Sequence, residues 1–118
     1  MEIRGHPDGL EMLLVTAPEL DASFEVGGCS PVQGFGKVLD RELYFRARHD
    51  EWSFDVADEA GRFPSDGFRG PGTFFREGPY PNASWMPLAE AVKIILRCLA
   101  DYTGVAIHIG VLPFPKPP

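Results

Sequence analysis

The chain has 118 residues, 44% hydrophobic and 24% charged, which suits one ordinary domain and leaves too little for two independent cores. Nine Phe, three Tyr and two Trp supply enough bulk for a core that needs neither metal nor disulfide. Seventeen acids against eleven bases leave a net charge of −6, which opposes attraction to nucleic acid or to an anionic membrane.

Met1 to Pro7 lacks the uninterrupted apolar stretch of a secretory signal, and apolar runs such as Met12 to Val15 are too short to span a bilayer. The expectation is a cytoplasmic protein with no membrane or nucleic-acid partner, in which Cys29 and Cys98 stay free thiols. Asn82-Ala83-Ser84 fits a glycosylation sequon but has no export signal to serve it. Residues 9–17 satisfy neither the helical nor the strand period, so they read as a strand or a short helix ended by Pro18. Residues 23–26 read as a short strand stopped by Gly27-Gly28.

Residues 32–58 carry the clearest pattern. Leu43, Phe45 and Ala47 alternate with polar residues, and so do Trp52, Phe54 and Val56. With His49-Asp50 as a two-residue turn, Ala47 faces Trp52, Phe45 faces Phe54 and Leu43 faces Val56, all on one side. With Asp40-Arg41 as the preceding turn, Val38 faces Leu43 and Gly36 faces Phe45. Residues 32–58 are therefore expected to form a three-stranded antiparallel meander. Its other face would carry a row of Phe35, Arg46 and Ser53 and a row of Lys37, Tyr44 and Asp55, with Arg48 and Glu51 beside the turn.

Residues 59–85 contain nine Gly or Pro and also Phe63, Phe68, Phe74, Phe75 and Tyr80. A linker would lack those aromatics, so this loop should pack on the body, and 73–77 would add one strand. A helix is expected over 87–102: Pro87 suits its first turn, Ser84 stands near enough to cap it, and Gly104 ends it. Glu90, Lys93, Arg97 and Asp101 make one polar stripe, and the rest of the helix is apolar. An arc that wide is either buried within one chain or shared with a second copy. Residues 105–112 alternate as a strand, and the Pro-rich tail 113–118 favours polyproline II. The expected fold is α+β: an antiparallel sheet of four to six strands with the 87–102 helix on one face, in a single domain that forms a homodimer.

Chemistry is harder to place. His6, His49 and His108 have no partner at metal-ligand spacing, so no metal is expected, and no motif implies a cofactor. Cys29 has neither base nor cation beside it to make a thiolate, and Cys98 falls on the apolar side of the helix. Gly34-Phe35-Gly36 and Gly70-Pro71-Gly72 precede no helix and so cradle no phosphate. The outer sheet face is more informative. Phe35, Lys37, Tyr44, Arg46, Arg48 and Asp55 would lie together there, with Arg46 over the Phe35 ring. Such a face can be a solvated sheet surface with cross-strand charge pairs. Its Tyr, Arg and Phe content also matches what protein interfaces enrich. The functional expectation is a noncatalytic binding module with a protein partner. The alternative is a small enzyme with an acid–base site under the 59–85 loop, using His49, His108 or Asp55.

Overall fold

In a computed structural model, which describes residues 1–5 and 11–115, seven strands follow one another in a single antiparallel sheet. They are β1 (Glu2–Gly5), β2 (Met12–Ala17), β3 (Ala22–Gly27), β4 (Val32–Val38), β5 (Arg41–Arg48), β6 (Glu51–Val56) and β7 (Phe74–Pro79), paired in chain order. One helix, α1 (Leu88–Thr103), lies on one face. The class is α+β as expected, with one strand more than the expected upper limit. The strand without a sequence signal is β1, whose four residues are too few to display a period.

Alternation decides which side of the sheet is core. Phe45, Phe54, Ala47 and Val56 are fully buried beneath α1, and Leu43 nearly so. The β5–β6 register is the expected one, with Ala47 opposite Trp52, Phe45 opposite Phe54 and Leu43 opposite Val56. The β4–β5 register differs by two residues. Leu39 and Asp40 form the turn, at φ 49° and 61°, so Gly36 faces Leu43 and Gly34 faces Phe45. A two-residue slip returns every side chain to the same face, and the hydrophobic pattern is blind to it.

The helix buries Ala91, Val92, Ile95, Leu96, Cys98 and Leu99. The core extends to both sheet edges: Ile3 of β1 belongs to it, and the Phe74 ring of β7 meets Tyr102 of α1 edge-on at 5.3 Å. The wide apolar arc is thus covered within one chain, and it supplies no ground of its own for a second copy. Gly104 ends α1 at φ 75° as expected. Ser84 does not cap the helix start. Pro87 is the capping position, with no side-chain hydrogen bond, while Ser84 Oγ accepts from the His49 amide at 2.8 Å.

Residues 105–112 form no strand; they run irregularly into a 3₁₀ turn at Ile109–Val111. Ile107 and Ile109 pack on the core, but Val111 is 84% exposed. Alternation marks one apolar side of a segment and says nothing about whether a sheet edge is free to pair with it. His6, residues 9 and 10 of the ambiguous first segment, and 116–118 of the tail lie outside the described residues. Among the described residues, no helix is long and apolar enough to cross a membrane.

Candidate binding face

With α1 on the inner face, the outer face is shaped by cross-strand rows. One row runs Phe35, Tyr44, Asp55 and Phe75; the next runs Gln33, Arg46, Ser53 and Glu77. Phe35 therefore meets Tyr44, not Arg46, with ring centroids 5.1 Å apart and planes tilted by 34°. The same two-residue slip moves the guanidinium of Arg46 away from the Phe35 ring. The cation–π contacts found among the described residues lie elsewhere, between Arg62 and Phe68, Arg69 and Phe75, and Arg76 and Phe74. Gln33 donates from Nε2 to the Tyr44 hydroxyl at 2.8 Å and so fixes the phenol beside its strand. Phe35 remains 49% exposed. Together with Lys37, Glu42, Tyr44 and Phe63 it lines a shallow groove of about 490 Å³. Lys37 is exposed and stands opposite Glu42.

Asp55 occupies an outward position yet is fully buried, because the connection between β6 and β7 folds back over it. A 3₁₀ turn at Pro64–Asp66 brings the Ser65 amide to donate to Asp55 Oδ2 at 2.7 Å. Oδ1 is buried with no hydrogen-bond partner among the described residues. Asp58 organises the start of that connection. Its Oδ1 accepts from the amides of Ala60 and Arg62 at 3.0 and 2.9 Å, and its Oδ2 from Arg62 Nε at 2.8 Å. The Arg62 amide does most to hold this carboxyl below its ordinary value of 3.8; burial pulls the other way, and the Arg62 guanidinium and the Ala60 amide add to the lowering.

Arg46 is half-buried between Gln33 and Ser53, and its Nε is buried without a hydrogen-bond partner among the described residues. Arg48 is exposed opposite Glu51. With His49, Ser53 and Glu77 these residues border a second hollow of about 290 Å³. Lys37, Arg46 and Arg48 form no ion pair among the described residues. Of the six expected binding residues, five share the accessible outer face and Asp55 lies beneath it.

The residues considered for acid–base chemistry do not converge. His49 stands exposed on the β5–β6 turn, Asp55 is sealed under the 3₁₀ turn, and His108 lies beyond α1 beside Met1 and Glu19. Among the described residues, no three His, Cys, Asp or Glu side chains gather as metal ligands. Cys29 is exposed; Cys98 is buried, and desolvation pushes its thiol up to about 12. Sequence reading missed Gln33 and Phe63. Gln33 was recoverable, since the period that places Phe35 and Lys37 outward places it there too. Phe63 was visible only as one of several loop aromatics. The chain matches no protein-family model, no curated protein and no solved structure.

Proposed function

We propose that this chain is a noncatalytic binding module that takes a protein partner on the outer face of its sheet. The observation that carries this reading is the exposed Phe35–Tyr44 pair, set in a groove with the half-buried Arg46 side chain in the next row. An aromatic ring half in water forgoes roughly 25 cal/mol for each Å² that a partner would cover. That term favours occupancy, and Tyr and Arg are among the residues in which interface hot spots are richest. Five expected residues, Phe35, Lys37, Tyr44, Arg46 and Arg48, serve in this role, and Asp55 supports the loop that borders the groove.

The test compares capture from a cell extract by wild type and by Phe35→Ala and Arg46→Glu/Arg48→Glu, each with its melting temperature measured alongside. Loss of the wild-type partner by variants that stay folded is the expected result; unchanged capture refutes the proposal. Light scattering at micromolar concentration shows whether the partner is a second copy. A clean 13.0 kDa species means that it is not.

A further inference from the structure

Another cleft opens between β7 and the polar stripe of α1. We propose that it binds a small aromatic carboxylate. Trp52, Arg76 and Tyr80 line it from the sheet and Lys93, Ile94 and Arg97 from the helix, around a volume of about 450 Å³. That volume lies in the range of small-molecule sites, roughly 300–1,000 Å³.

The aromatic part of the ligand is argued from Trp52. Its indole lies so closely over Gly78 that a Cβ there would come within 2.8 Å of Cζ2, and it stacks on the buried Phe45 ring at 6.3 Å with planes 24° apart. The ring is therefore held flat before any ligand arrives, with Tyr80 and Ile94 beside it. A preorganised planar surface loses little entropy when a second ring settles on it.

The carboxylate is argued from the charges. Glu90 accepts Lys93 in an ion pair at 3.2 Å and so neutralises it. Arg97 is exposed and has no ion pair among the described residues. Arg76 sits over the Phe74 ring at 4.1 Å and donates to the Phe75 carbonyl at 2.9 Å. Asp101 also faces the cleft, so Arg76 and Arg97 leave an excess of one positive charge in a chain of net charge −6. A single negative group matches that excess, and a guanidinium holds a carboxylate by paired hydrogen bonds.

An extended peptide fits less well. The Tyr80 amide donates to the Asp50 carbonyl, so the alternate residues Phe75, Glu77 and Pro79 turn their backbone groups to the free edge of β7. There Arg76 already occupies the Phe75 carbonyl, and Pro79 has no N–H to offer. Those features close an edge to strand addition.

The experiment uses the Trp85→Phe chain, which leaves Trp52 as the sole indole; Trp85 is 70% exposed and its ring is dispensable to the core. Benzoate and phenylacetate are titrated against Trp52 fluorescence and its indole N–H resonance, with benzamide and phenylacetamide as neutral controls. Saturable changes with Kd below about 1 mM for a carboxylate, at least tenfold weaker for its amide and for Arg97→Ala, are expected. Non-saturating changes, equal binding of acid and amide, or an unaffected Arg97→Ala variant would each overturn the proposal.

Discussion

Two glycines on the inner face of β4 give the sharpest test of how the sheet is built. Neither has a positive φ, so space alone decides what a methyl group does at each. On Gly36 a Cβ would overlap the Ser23 carbonyl oxygen and lie 2.5 Å from Phe24 Cα and 2.6 Å from Phe24 Cβ. Those are backbone and near-backbone atoms of β3, and they cannot yield without separating two paired strands. On Gly34 the nearest atom is Ile95 Cδ1 at 3.0 Å, followed by Phe45 Cβ at 3.3 Å and the Glu25 carbonyl oxygen at 3.4 Å. A terminal methyl on α1 can rotate aside. Gly36→Ala should therefore cost about 3 kcal/mol or more, at or above the upper end of overpacking effects. Gly34→Ala should cost at most about 1 kcal/mol, because stiffening the unfolded chain returns about 0.4–1 kcal/mol. A domain of 118 residues unfolds with an entropy near 0.25 kcal/mol/K, at about 2.1 cal/mol/K per residue, so each kcal/mol moves Tm by roughly 4 °C. Circular-dichroism melts of the two variants should then fall about 12 °C or more and no more than about 4 °C below wild type. Equal losses, or a larger loss at Gly34, would refute the close approach of β3 and β4 and the register that produces it.

Other consequences are open to simple measurement. One thiol per native chain should react rapidly with a disulfide reagent at pH 8, the exposed Cys29, and the second, Cys98, only after unfolding; two fast thiols would contradict the burial that pushes Cys98 to about 12. Phe35→Ala removes one ring of an exposed aromatic pair and should cost only about 0.5–1.5 kcal/mol in urea unfolding, whereas a loss beyond about 3 kcal/mol would make Phe35 a core residue. Asp58 has its carboxyl held below 3.8, so its contribution is fully present above that pH and fades as pH falls through the lower folded value. Amide resonances of Ala60 and Arg62 should shift in that acid range, and Asp58→Asn should abolish the transition; a transition that persists in the variant belongs to another group.

The parts of this fold legible in the sequence were those set by several side chains acting together. Three apolar pairs fix β5 against β6, and nine apolar residues against one polar stripe fix α1. The β4–β5 register escaped because a shift of two preserves the facing of every residue; only the choice between turns decides it, and Leu39 is an unusual residue to find at φ 49°. Asp55 escaped for a different reason. Its strand position does point outward, and its burial depends on where Ser65, ten residues along, comes to rest. Residues 105–112 have the alternation of a strand but pair with neither edge of the sheet, running instead into a 3₁₀ turn. The candidate face was legible as a set of outward positions on β4 and β5, while the groove that Phe63 completes needed the return path of the loop.

The proposal that the outer face carries the binding is tested most directly by photo-crosslinking from inside cells, with p-benzoylphenylalanine replacing Phe35 in one chain and Val105, exposed beyond the end of α1, in another. A discrete adduct from position 35 that is absent from position 105 is the predicted outcome, and an adduct of twice the chain mass would identify the partner as a second copy. No adduct at position 35, or the same adducts from both positions, would contradict a partner seated over Phe35 and Tyr44.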